Sequence, residues 1–124
     1  MISGRVNNRY EAIVQILIQN QAGELVSVDA VVDTGFDGSL TLPANVIASL
    51  GLHWRGKAGV VLANGLVDEC DVYAGVVKWD GIPRQVLVEA AETDPLVGMA
   101  MMKGFEMRLE VKLGGSVTLE TMSA

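Results

Sequence analysis

Val31-Val32-Asp33-Thr34-Gly35-Phe36-Asp37-Gly38 is the stretch on which the fold turns. An acid directly after an apolar run, then a small hydroxyl residue and a glycine, is poorly explained by packing alone. A buried strand end favours further apolar residues, because an unpaired carboxylate is costly to desolvate there. Asp-Thr-Gly can be a plain turn, since Asp and Gly favour turns and Thr bonds locally. An EF-hand loop over Asp33, Asp37 and Gly38 fails: Gly35 stands where an oxygen ligand is needed, and Ala44 where the bidentate Glu belongs. No phosphate-cradling glycine loop followed by Lys-Ser/Thr occurs in the chain.

Outward from this stretch the periodicity is mostly two-fold. Glu11 to Ile18 is rich in β-branched residues and closes on Gln19-Asn20-Gln21-Ala22-Gly23, a turn signal. Glu24 to Val32 resumes with Val26, Val28, Ala30 and Val32 on one face, which predicts a hairpin. Ser39 to Leu42 reads as a short strand. Pro43 to Gly51 is the best helix, with Pro in the tolerated first turn and Gly at the stop. Ala58 to Leu62 and Leu66 to Tyr73 flank Ala63-Asn64-Gly65, and Asn-Gly between apolar runs signals a hairpin. Ala74 to Trp79 and Arg84 to Glu89 form another strand pair around Asp80-Gly81. Leu96-Val97-Gly98 leads into a short helix over Met99 to Lys103. Phe105 to Leu113 and Ser116 to Glu120 form a last hairpin around Gly114-Gly115.

The expectation is one all-β domain over residues 1–124, with one or two short helices. A chain of 124 residues buries about two-thirds of its unfolded surface, and 50% hydrophobic with 19% charged residues argues against disorder. One Cys excludes an internal disulfide framework, and one His disfavours a His-based metal site. A net charge of −6 argues against nucleic acid as main partner. Met1 to Tyr10 lacks the apolar stretch of a secretory signal, and no run of about 18 apolar residues could span a bilayer. The expected setting is cytoplasmic, away from membranes.

With these residues in place, the chain resembles the retropepsin-like aspartic proteases, the single-lobed relatives of pepsin, in their small bacterial form. The resemblance runs from about Glu11 to Glu120 and rests on three elements in order. The apolar strand into Asp33-Thr34-Gly35 matches the catalytic Asp-Thr/Ser-Gly. The hairpin around Leu62-Ala63-Asn64-Gly65 stands where the family carries its substrate-covering flap. Leu96-Val97-Gly98 and the following helix match the apolar-apolar-Gly motif that packs behind the catalytic loop.

The resemblance implies a closed β-barrel lobe that is active only as a homodimer. Peptide hydrolysis in this family uses two carboxylates around one water; they share a proton because like charges so close cannot both ionise. With one Asp-Thr-Gly and no room for a second lobe, the second carboxylate would be Asp33 of another copy, across a two-fold axis. By the same mapping the Thr34 hydroxyl would tie the two loops together, and Gly35 would let its N–H approach the carboxylate. Asp37 would meet substrate backbone or an interfacial Arg, and Leu96 would line a pocket. Ala63, Asn64 and Gly65 would form the flap tip. Phe36 stands where viral and pepsin-type members carry Ala or Ser, so its ring would fill part of a side-chain pocket or pack inward. In retropepsins the termini interleave into an interface sheet; Ser116 to Glu120 is a candidate strand for this, Met1 to Asn8 is not. No metal or organic cofactor is implied, and the substrate would be an extended peptide.

Other residues read more blandly. His53 and Trp54 follow the helix; a Ser39-His53-Asp37 triad lacks a nucleophile-elbow motif. Cys70 reads as a small buried hydrophobe. Met99, Met101 and Met102 read as core beneath the catalytic loop, and Trp54 and Trp79 as caps on core edges. Two rival functions remain: a non-catalytic dimeric module that keeps the fold to bind peptide by strand addition, and a monomeric ligand-binding barrel.

Overall fold

The computed structural model describes residues 1–61 and 63–123, and of Val60 the backbone alone. Among these, ten strands and two short helices alternate along the chain. They are β1 (Ile2–Val6), β2 (Ala12–Gln19), β3 (Leu25–Val32), β4 (Leu40–Leu42), α1 (Ala44–Leu50), β5 (His53–Val61) and β6 (Val67–Trp79), followed by β7 (Ile82–Ala90), β8 (Leu96–Val97), α2 (Met99–Met102), β9 (Phe105–Leu109) and β10 (Ser116–Thr121). The chain is all-β with two short helices, as its periodicity predicts. In β2 the alternation is complete: Ala12, Val14, Ile16 and Ile18 are buried and the residues between them are not.

Six of the strands close on themselves. β2 pairs with β3, β3 runs parallel to β8, β8 pairs with β4, and β4 runs parallel to β7. β7 pairs with β6, and β6 returns to β2 through Leu17↔Lys78 and Ile18↔Val77. Ile16, Ile18, Ala30, Leu40, Leu42, Val77, Val88 and Val97, each 1% exposed or less, fill this barrel. Closure removes most of the sheet edge that would otherwise invite other strands. β1, β10 and β9 extend the sheet beyond β2, burying Val117 and Leu119. Their end is fixed to the barrel by an edge-on contact of the Trp79 and Phe105 rings, 6.0 Å apart.

α1 is preceded by extended Pro43, whose carbonyl accepts from Val46 and Ile47, and stops at Gly51 with φ +70°. That left-handed residue suits glycine, and its N–H closes the helix onto Ile47 and Ala48. Ile47 and Leu50 face the core.

Three expectations are corrected. Met1 to Asn8 contains a strand after all: β1 lies between β2 and β10. Its alternation is masked by Gly4, which faces β2 so closely that a Cβ would run into the Ile13 carbonyl. The two stretches Leu66–Tyr73 and Ala74–Trp79 are one thirteen-residue strand, β6. They read as two because β5 covers the first half of β6 and β7 the second. β5 also begins at His53, five residues before its apolar run, so Trp54 lies on a ribbon and is 59% exposed, while Trp79 is buried.

Candidate active site

β3 delivers Asp33 to the rim of the barrel, and β4 takes the chain away again at Leu40. Between these two strands lies β8. Val31 and Val32 pair in parallel with Leu96 and Val97, while Leu40 and Thr41 pair antiparallel with Val97 and Leu96. The Asp33–Ser39 loop is thus gripped on both limbs by one segment. Asp33 N–H donates to the Val97 carbonyl at 2.9 Å, and Gly98 N–H donates to the Ser39 carbonyl at 3.0 Å. Met99 N–H donates to the Phe36 carbonyl at 2.8 Å and Ala100 N–H to that of Gly38 at 3.1 Å. Beneath this grip Thr41, a buried polar residue, accepts the Leu96 N–H on its Oγ1 at 3.1 Å.

Within the loop the Asp33 carbonyl accepts from Phe36 N–H, which closes a turn, and Asp33 Oδ1 accepts from Gly35 N–H at 2.8 Å. Asp33 Oδ2 and the Thr34 hydroxyl have no hydrogen-bond partner among the described residues. Asp33 is half-buried; Thr34, Gly35 and Asp37 are exposed. A half-buried carboxylate with one oxygen anchored and the other unpaired is able to bind and deprotonate a water.

Phe36 packs inward. Ring atoms lie 2.5 Å from where a Cβ would stand on Gly38 and on Gly98, so the ring occupies the room those two glycines leave. Gly98 also faces the Gly38 and Phe36 carbonyls, which leaves no room for a side chain. Asp33, Thr34, Gly35, Phe36 and Asp37 share the loop, and Leu96, half-buried, belongs to the segment that holds it.

The hairpin tip makes no hydrogen bond to this loop among the described residues. Ala63, Asn64 and Gly65 are exposed, with Gly65 at φ +83° and Asn64 Oδ1 accepting from Leu66 N–H. Leu62, the first residue of the expected flap stretch, lies outside the described residues. β7 covers β6 only from Val72 onward, so Val67–Asp71 pair with β5 alone and form a free two-stranded ribbon. Across that ribbon Trp54 Nε1 donates to Asp71 at 3.0 Å and Lys57 lies 3.3 Å from the same oxygen; these contacts, Trp54 first, hold the Asp71 carboxyl below its ordinary value.

The root of the ribbon touches the loop through a residue that carries no sequence motif. Glu89, on β7, accepts from the Cys70 thiol at 3.8 Å with Oε1. Its Oε2 lies 2.5 Å from the Cβ position of Gly38, beside the Phe36 ring. Cys70 is half-buried rather than buried, and burial, then the Glu89 charge, push its thiol upward. An acid inside the apolar run Val86-Leu87-Val88-Glu89-Ala90 is the one signal that could have flagged this position.

Elsewhere, a cavity of about 440 Å³ opens between Gln19–Gln21, His53, Arg55 and the outer faces of β6 and β7; it includes no residue of the Asp33 loop. Ser39 and Asp37 lie on that loop while His53 lines this separate cavity, so a Ser39-His53-Asp37 triad gains no support. Among the described residues no cluster of three or more His, Cys, Asp or Glu could hold a metal ion, and no helix is long and apolar enough to cross a membrane. Comparison with protein-family models, with curated proteins and with solved structures found no match.

Proposed function

We propose that the chain is a homodimeric aspartic endopeptidase of retropepsin-like fold. The observation that carries this reading is the insertion of β8 between β3 and β4, with Asp33 N–H on the Val97 carbonyl. That grip fixes a strand-end carboxylate at the barrel rim, and its Oδ2 has no hydrogen-bond partner among the described residues. The exposed Thr34-Gly35 turn leaves room for a second copy to approach face to face.

In the dimer, Asp33 of each copy would face the other across a two-fold axis around one water, with a single proton between them. The ionised carboxylate takes a proton from the water as its oxygen attacks the peptide carbonyl carbon. The protonated carboxylate gives its proton to the carbonyl oxygen, forming a neutral tetrahedral diol. Collapse breaks the C–N bond: the protonated carboxyl gives its proton to the amine nitrogen while the other carboxylate takes one from a diol hydroxyl, so acid and amine leave and the pair again holds a single proton. The chemistry so written uses no metal or organic cofactor.

The terminal strands bear on how such a dimer forms. β10 is already paired on both sides, with β1 and with β9. Exchange of Ser116–Glu120 between copies would have to break one of these ladders, so the contact is expected around the Asp33 loop.

Cleavage of unstructured peptides by wild type and by Asp33→Asn tests the reading, with sizing by light scattering at the assay concentration. Loss of cleavage in the variant and a dimeric mass are expected. Equal rates would overturn it. A second reading, a peptide-binding module without catalysis, is favoured by the open edge of β5, to which a strand could add. A bound peptide that stays intact through long incubation at acidic and neutral pH distinguishes the two.

A further inference from the structure

We propose that the cavity between the β2–β3 turn, the start of β5 and the outer faces of β6 and β7 binds a small amphipathic carboxylate, an acid group on an apolar body. None of its lining residues belongs to the Asp33 loop, so the site is independent of the peptidase reading. Its volume of about 440 Å³ falls within the ~300–1,000 Å³ of pockets that hold small organic ligands.

Charge selects the sign of the ligand. The chain carries 15 acidic residues against 9 Lys and Arg, yet no acid lines this cavity, while Arg55 and the only His, His53, do. The ion pairs among the described residues engage the N-terminus, Arg9, Lys57 and Arg108, and Arg55 is in none of them. Its guanidinium keeps its donor fork for a planar anion. Local backbone geometry singles this residue out as well. Trp54 pairs with Tyr73 and Gly56 with Val72, so Arg55 is the extra residue of a β-bulge, with Gly56 beside it at φ +136°. Bulges re-aim the side chain they carry.

An apolar floor lies next to these basic groups. His53 pairs with Ala74 and Ala74 with Leu87; Val76 pairs with Gln85 in the next row of the same face. Leu87 is 58% exposed there, and an alkyl or aryl body would cover it. A bare oxyanion would use the basic groups and leave this floor wet, which argues for a body attached to the acid. The opposite wall is held in place. Gln21 N–H donates to the Leu50 carbonyl at 2.8 Å, and Gln21 Oε1 lies 2.7 Å from where a Cβ would stand on Gly51. The β2–β3 turn is thereby latched to the end of α1, and a cavity whose walls are already fixed costs a ligand less to enter.

The test titrates the full chain at low ionic strength with octanoate, octanamide, octylamine and inorganic phosphate. With one His in the chain, the His53 ring gives a single imidazole signal in proton NMR that reports occupancy. Octanoate is expected to shift it saturably and to bind about fivefold tighter than octanamide, the scale of an exposed charge pair. Octylamine and phosphate should each bind more weakly than octanoate. Arg55→Gln, at an exposed position outside any described ion pair, should bring the octanoate-to-octanamide ratio close to one. Leu87→Ser should weaken both ligands alike, and Asp33→Asn should change neither. The proposal is overturned by the absence of a saturable shift, by equal affinity for octanoate and octanamide, or by a ratio that Arg55→Gln leaves untouched. Phosphate binding as tightly as octanoate, or a Leu87→Ser variant with both affinities intact, would overturn it too. Loss of octanoate binding in Asp33→Asn would place the ligand at the Asp33 loop instead and sink it.

Discussion

The Leu96 N–H ends on the hydroxyl of Thr41, 55 residues earlier in the chain, inside a wall where nearly every other group is apolar. This bond sits one layer below Asp33 and helps to set the height at which β8 holds the loop. Thr41→Val keeps the shape but leaves the Leu96 N–H unsatisfied. It is expected to cost about 1–3 kcal/mol in urea unfolding, whereas Thr41→Ser costs less because the acceptor remains.

Gly98→Ala pushes a methyl into the Gly38 carbonyl and the Phe36 ring. Overpacking of this kind costs about 1–3 kcal/mol, and two backbone carbonyls give way less easily than a side chain. Thermal unfolding should show the loss. Adding Phe36→Ala should restore only part of it, since the ring is one obstacle of three; full restoration would show that the carbonyls yield.

Tyr10 adopts φ +59° at an exposed turn between β1 and β2. The turn is built like that of Asn20–Glu24: Asn7 and Asn20 each receive two backbone N–H groups, and Gly23 occupies the left-handed place that Tyr10 fills here. Relief of left-handed strain is worth about 1 kcal/mol, less the entropy that glycine adds to the unfolded chain. Tyr10→Gly is thus expected to raise the unfolding midpoint slightly; a lower midpoint would show that the entropy term outweighs the strain.

Burial, with the Glu89 charge and hydrogen bond behind it, raises the Cys70 thiol above its ordinary value. The folded state then holds this proton more tightly than the unfolded chain. The resulting stability is fully present below the unfolded value and is lost as pH rises through the folded one. Iodoacetamide should react more slowly with the native protein at mildly alkaline pH than with a denatured control. Glu89→Gln should speed the native reaction a few-fold, and an unchanged rate would assign the whole effect to burial.

Much of the fold is legible because the barrel strands alternate: β2 places its buried residues at every second position, and Asn64-Gly65 marks its hairpin directly. Legibility fails where a strand has no inward apolar row. β1 offers only Ile2 and Val6 around a glycine, and the start of β5 is His-Trp-Arg-Gly-Lys, exposed along most of its length. The strand-end acid Asp33 stands out in the chain because packing gives it no reason to be there. Glu89 does not, because its closeness to Phe36 and Gly38 joins residues far apart in sequence. Thr41 is hidden for a similar reason, being one hydroxyl in a three-residue strand whose partner is Leu96.

The pairing of Ile2 with Leu119 carries a consequence for the nascent chain. During synthesis β1 can lie along β2 early, but its other edge stays open until β10 has been made. The β3–β8 ladder likewise waits for Leu96. The Asp33 loop therefore gains its shape late, after long loops have closed at an entropic cost that slows folding. Until then the barrel strands remain exposed to wrong partners, and a ribosome-bound fragment lacking β8 would carry the Asp33-Thr34-Gly35 tripeptide without the scaffold that shapes it.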